Sequence, residues 1–268
     1  MPETNHISPP PPRLPLRHNG QTRKRWRYVG FYGQELMLCA ARAQVGPLSQ
    51  CFWAVWDRET GKSYDHTSLR PGSEEVRMDG AEIAIETRAV RLQLRLGEST
   101  PIEARCPSGR SWAWTRKRAG VPASGTIEIE GRQRQLEGLA VDDESAGYHR
   151  RRTSWHWSAG VGRAGDGRAV AWNLVEGIND PAEHSERAIW VEGKPHEPPP
   201  VHFDGLAGVG FGGARRLEFS PGSVRSRDDN FLLFRSSYRH EFGSFSGALG
   251  DLELAEGLGV MEQHDARW

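Results

Sequence analysis

Apolar and polar residues alternate along much of this chain. In "AVRLQLRL" (Ala89–Leu96), Val90, Leu92, Leu94 and Leu96 fall on one face, and Arg91, Gln93 and Arg95 fall on the other. A period of two is the signature of a strand with one wet face. "EVRMDGAEIAIETR" sets two such runs around Asp79-Gly80, a pair suited to a tight hairpin turn. "GTIEIEGRQRQLEGLAV" repeats the scheme with Gly131 at the turn, and "RLEFSPG", "NFLLFRSSYRHEF" and "GALGDLELAEGLGVME" continue it. "GQELMLCAARA" lacks clean alternation and fits a short helix about as well as a strand. The pattern predicts an all-β protein of antiparallel strands.

Two stretches resemble each other. "CFWAVWDRETGKSY" (Cys51–Tyr64) and "RAIWVEGKPH" (Arg187–His196) both read strand, Trp, acidic turn, Gly-Lys, and each follows an apolar run. This predicts two related β-barrel-like units, residues 20–140 and 141–268, behind a Pro-rich arm of residues 1–19. The arm's "ISPPPPRLP" favours extended backbone, because proline fixes φ and removes a donor. The arm is expected to be dispensable for folding. Trp268 is expected to close a barrel.

Composition narrows the function. Lys plus Arg and Asp plus Glu both number 35, so no global basic field points to a nucleic-acid partner. Arg13, Arg17, Arg23, Lys24, Arg25 and Arg27 stand without a neighbouring acid and read as a solvated tail. No run approaches the roughly 18 apolar residues of a membrane helix. Cys39, Cys51 and Cys106 share no metal-type spacing, and no apolar leader precedes them, which points to a reducing cytoplasm. "GVGRAG" and "GVGFGG" match G-x-G-x-x-G, yet strand-like runs follow both where a dinucleotide site needs a helix, so they read as turns. No cofactor motif is present. Glu262 and His264 would hold a metal only with distant partners, so no metal site is expected.

The densest candidate chemistry is "VDDESAGYHRRRTSWHW" (Val141–Trp157). On an extended chain Asp143 faces away from Asp142 and Glu144, while Trp155 and Trp157 share a face. An acid against an indole wall is desolvated, its pKa rises, and it can donate a proton near neutrality. In the plainer alternative, Arg150–Arg152 pair with Asp142 and Glu144 and the tryptophans are ordinary core. Further along, Glu262 and His264 alternate with Met261 and Gln263 across a strand, facing a cavity or the seam between units.

"GLAVDDESAGYHRRRTSWHWSAGVG", "GRAVAWNLVEGIND" and the terminal "GLGVMEQHDARW" resemble the bacterial domain-of-unknown-function family 2804, from about Arg27 to Trp268. More distantly, "GTIEIEGRQRQLEGLAVDDESAG" is similar to the strand–Gly–strand, G-x-x-W-x-D-H-x-W-G segment of the carotenoid 1,2-hydratase and AttH-like group. That resemblance implies two consecutive lipocalin-like antiparallel β-barrels and protonation of an apolar, isoprenoid or lipid-like small molecule in a barrel cavity, without a cofactor. Asp143 matches the motif's Asp, and Asp142 does so after a one-residue shift. Val141 replaces its Trp and Glu144 its His. On this reading Asp143 donates the proton and Tyr148, His149 or Glu262 tunes it. Trp155, Trp157 and Trp172 stabilise a cation through their ring faces, and Asp142, Asn173 and His264 complete the ligand site. Two alternatives stay open: a carrier with the same cavity and no turnover, and an interaction protein working through the basic arm.

Overall fold

A computed structural model describes residues 13–70, 72–231 and 234–267. Among these residues there are 21 strands and no helix. They form one 10-stranded and one 9-stranded antiparallel sheet, plus a small ladder of Arg17–His18 with Gln21–Thr22.

The two sheets share one topology. In the first, the chain runs from Lys24–Tyr32 through Leu36–Val45 and Leu48–Asp57 to an edge at Ser63–Ser68. It resumes at the opposite edge, Val76–Asp79, and returns through Glu82–Glu86, Val90–Leu96 and Ser111–Ile129 to Arg132–Gly147, which pairs with the first strand. Ile102–Ser108 is added beside the front half of Ser111–Ile129. The second sheet starts at Arg152–Ala164, passes Ala169–Glu176 and Ala188–Val191 to Lys194–His196, then restarts at His202–Phe203. It returns through Gly208–Gly210, Arg216–Phe231 and Phe234–Leu249 to Leu252–Arg267, which pairs with Arg152–Ala164. Each unit is therefore an up-and-down, lipocalin-like barrel joined first strand to last, with no ladder between its fourth and fifth strands. The two similar sequence stretches occupy the third and fourth strands of each unit. Val141–Gly147 remains in the first sheet, so the break between sheets lies at Tyr148–Arg151 and not at 140/141.

Three of the four apolar clusters among the described residues follow from the alternation. Val29, Leu38, Leu92 and Ile127 fill the first barrel, and Trp172, Leu174, Leu217 and Phe245 fill the second. The third core lies between the barrels, where Tyr28, Met37, Cys39 and Val141 pack on Trp157, Val175, Trp190 and Val260. Leu36–Val45 thus buries both faces over its first half: Leu36, Leu38 and Ala40 inward, and Met37, Cys39 and Ala41 toward the other unit. A doubly buried strand loses its period of two, which is why "GQELMLCAARA" reads ambiguously. Each fully buried aliphatic side chain here contributes about 1.5–3 kcal/mol.

The turns behave as their residues require. Asp79-Gly80 closes a hairpin, and Glu130-Gly131 closes another with φ of 50° and 81°. "GVGRAG" is only partly a turn: Gly160 and Gly162 lie inside a strand. A Cβ on Gly160 would sit 2.3 Å from Cζ2 of Trp172, so glycine makes room for the indole in the second barrel. The basic segment is also no free tail. Lys24 is buried within a strand, and Leu14 packs with Trp114, Ala146 and Tyr148. The Tyr148 hydroxyl donates to the Pro15 carbonyl at 2.9 Å, so residues 13–19 are docked on the first unit. The rest of the arm and Trp268 lie outside the described residues.

Candidate functional site

The candidate site is a cavity of about 140 Å³ between the two units, not inside a barrel. The first unit contributes Trp26, Tyr28, Phe52, Lys117 and Asp143; the second contributes Trp155, Trp157, Arg225, Tyr238, Glu262 and His264. Alternation explains the set. Along Arg152–Ala164, Trp155, Trp157, Ala159 and Val161 face the other unit, and along Leu252–Arg267 so do Val260, Glu262 and His264.

Two rows of residues at equivalent places in the topology meet across this cavity. In the first unit Asp143, on the last strand, pairs with Tyr28 on the first and Lys117 on the penultimate. In the second unit Glu262, on the last strand, pairs with Trp157 on the first and His240 on the penultimate. The rows touch. The Tyr28 hydroxyl and His240 Nε2 are 3.0 Å apart, and the Tyr28 ring meets Trp157 edge-on at 5.1 Å.

Their electrostatics differ. Lys117 is fully buried and binds Asp143 Oδ2 at 2.5 Å and Glu186 Oε2 at 3.3 Å. Burial alone would pull the Lys117 ammonium down, but the two carboxyls outweigh it and hold its pKa above the ordinary value. Glu186 is pushed up, chiefly by burial, and accepts from Asn179 Nδ2 at 2.9 Å. Asp143 Oδ1 is buried without a hydrogen-bond partner.

Glu262 makes no ion pair with a described residue. Burial pushes its pKa up to about 7. The Trp155 indole N–H, donating to Oε1 at 2.9 Å, and the Tyr238 hydroxyl pull it back, as does the charge of Arg225; the charge of Asp143 adds to the rise. Burial holds its neighbour His240 down at about 3, so this imidazole is neutral near pH 7. His264 is likewise lowered to about 3 by burial, lies 4.3 Å from Trp155 between ring centroids, and meets Ser236 Oγ through Nε2 at 2.7 Å. The site thus holds an acid that titrates near neutrality, a carboxylate tied to an ammonium, and six aromatic rings.

The sequence-predicted residues divide. Asp143, Glu262, Trp155, Trp157 and His264 line the cavity. Asp142 faces the other way and binds Arg27 at 2.9 Å and Arg118 at 2.7 Å, not Arg150–Arg152. Glu144 forms no ion pair with a described residue. Tyr148 packs under the arm. His149 is buried behind Trp26, with its pKa lowered to about 3 by burial. Trp172 belongs to the second barrel's interior. Asn173 supports the wall without lining it: its Oδ1 accepts from the Trp157 indole at 2.8 Å, and its Nδ2 donates to the Glu186 carbonyl. Among the described residues no group of three His, Cys, Asp or Glu is placed to hold a metal ion. Lys117, Glu186, Arg225, Tyr238 and His240 were not singled out from the sequence. The signal for two of them was there: Tyr238 and His240 share a face in "SSYRHEF". Lys117 and Arg225 sit among other charges and look like surface.

Comparison with known proteins agrees with this architecture. The structure is similar to that of an AttH-like protein of Nitrosomonas europaea, with a TM-score of 0.58 at 15% identity, covering 92% of this chain and 93% of that one. It is also similar to kievitone hydratase of Nectria haematococca, with a TM-score of 0.57 at 9% identity, covering 90% and 88%. At these identities the likeness establishes the shared lipocalin-like fold. No curated protein matches the chain. Residues 100–268 match the family model described as Domain of unknown function (DUF2804). Over half of the sequence lies in that match, and the chain belongs to the DUF2804 family.

Proposed function

We propose that the cavity between the units is the active site of a hydratase- or cyclase-type enzyme that protonates an unsaturated, largely apolar small molecule. The observation that carries this reading is Glu262: a buried carboxyl with a pKa of about 7, held by an indole N–H in an aromatic pocket. An acid is most useful when its pKa lies near the working pH. Glu262 gives its proton to one alkene carbon, and the positive charge develops on the other. The faces of Trp155 and Trp157 stabilise that charge. Asp143 Oδ1, the unpartnered acceptor, orients a water and takes its proton as the oxygen bonds to the cation. Proton return from Asp143 to Glu262 closes the cycle. If an internal alkene attacks instead of water, the same acid starts a cyclisation, and Asp143 takes the proton that the ring cation sheds. Two carboxyls with unlike surroundings are the usual means of dividing acid and base roles. The fold likeness to a hydratase supports this reaction class. The three free, buried cysteines support a reducing compartment, and we place the protein in the cytoplasm.

The test is incubation with a panel of one-ring terpenoid and prenylated phenolic alkenes in heavy-oxygen water, read by mass spectrometry. Turnover appears as uptake of one labelled water or as an isomeric ring product, with an acidic form required and a rate limb near pH 7. Glu262→Gln retains binding and loses turnover. Undiminished turnover in that variant refutes the assignment. Ligand bound unchanged by both proteins establishes carriage instead.

A further inference from the structure

The cavity contains unmet hydrogen-bond donors, and these specify the substrate further. Arg225 lines the cavity and is 8% exposed. Its Nη2 donates to Thr67 Oγ1 at 2.5 Å, and its Nε lies 3.5 Å from Asp65 Oδ2. The guanidinium is held by rings, 4.4 Å from the centroid of Phe52 and 5.2 Å from that of Tyr238. Its Nε and Nη1 are buried without a hydrogen-bond partner, whereas the Tyr238 hydroxyl beside it is engaged with Glu262. A buried donor left unmade is costly, and native proteins satisfy almost all of them with protein, water or ligand. Two such donors on one guanidinium beside the cavity, on a side chain fixed by stacking and by Thr67, form a prepared seat for an acceptor oxygen. Arginine cannot accept, and its planar fork suits a carbonyl, enolate or phenolate oxygen.

We infer that the ligand of this cavity is an oxygenated unsaturated ring compound, an enone or phenol, whose oxygen is bound by Arg225, and not a pure hydrocarbon. This rests on the proposed function for the site's location and goes beyond it in the substrate class. The chemistry follows from the placement. Arg225 polarises the oxygen and fixes the ring, so that one carbon of the conjugated or neighbouring alkene is presented to Glu262. A hydrocarbon of the same shape leaves the donors unpaired and is rejected for that reason.

Carvone and limonene share a skeleton and differ by one carbonyl oxygen, which can only accept. Their affinities for the full chain are measured by quenching of tryptophan fluorescence at pH 7.5. Carvone is expected to bind about tenfold or more tightly than limonene, as a hydrogen bond to a charged donor implies. Arg225→Met reduces that ratio below about threefold, chiefly by weakening carvone. Arg225→Lys, which keeps the charge and loses the planar fork, lowers the ratio partway and serves if the methionine variant fails to fold. Equal affinities in the unaltered protein, or a ratio that survives both substitutions, overturns the inference. Affinity is read without turnover. A protein that prefers carvone but converts nothing keeps the oxygen seat and loses the proposed reaction; one that hydrates limonene with no preference does the reverse.

Discussion

Asp143 and Glu262 stand at the same place in two copies of one topology, and they have different surroundings. Each is on the strand that closes its barrel, beside an aromatic residue of the first strand. What differs is the neighbour on the penultimate strand: Lys117 in one unit, and His240, neutral at pH 7, in the other. The ammonium gives Asp143 a partner at 2.5 Å; the imidazole leaves Glu262 to the effect of burial. Backbone topology therefore sets where the carboxyls meet, and one cross-strand neighbour sets which of them has a cation beside it.

The largest effect expected from breaking this comparison is at Lys117. Lys117→Met strands Asp143 and Glu186 without their cation and is expected to cost about 3–5 kcal/mol at pH 7, read by urea denaturation. At pH 4, where buried carboxyls can take up protons, the cost shrinks. A loss independent of pH would show that Lys117 matters for packing and not for charge.

Glu262→Gln acts in the opposite direction. The folded pKa of Glu262, about 7, is above the unfolded value near 4.5, so its favourable contribution is complete below about pH 4.5 and is lost as pH rises to about 7. Glutamine never ionises. The variant is therefore expected to be more stable than the parent by about 1–3 kcal/mol at pH 8 and close to it at pH 4. Equal stability at pH 8 would place Glu262 in the ordinary carboxylate range. The smallest effect is expected at the contact between rows. Tyr28→Phe removes the hydroxyl that meets His240 and costs about 0.5–1.5 kcal/mol, measured by thermal unfolding. A larger loss would mean that the rows hold the units together and do not merely touch.

Legibility in the sequence followed burial. Val90–Leu96 alternates buried and exposed as its letters do, and the Asp79-Gly80 turn is in place. Leu36–Val45 was ambiguous because both of its faces are covered over its first half. At the site, Asp143, Trp155, Trp157, Glu262 and His264 were recognisable as acids and rings on shared faces of extended chain. Their meeting place was not, because it depends on which outer faces the two barrels turn toward each other. Trp172 misled for the same reason: an indole on a strand points into a barrel or out of it, and only register decides. Lys117 and Arg225 were invisible because a buried cation and a solvated one are the same letter, and the carboxyls that neutralise Lys117 lie far along the chain or on another strand.

Closing each barrel by its first and last strands also orders events in time. Arg27 and Asp142 are 115 residues apart, and Trp155 and Glu262 are 107 apart. Contacts so distant in sequence form slowly, and both site carboxyls lie on the strands that make them. During synthesis the first unit can close while Leu252–Arg267 has yet to be made, leaving Met37, Cys39 and Tyr28 without their cover from the second unit. That interval is the chain's most exposed moment to self-association, and the docking that ends it also builds the site.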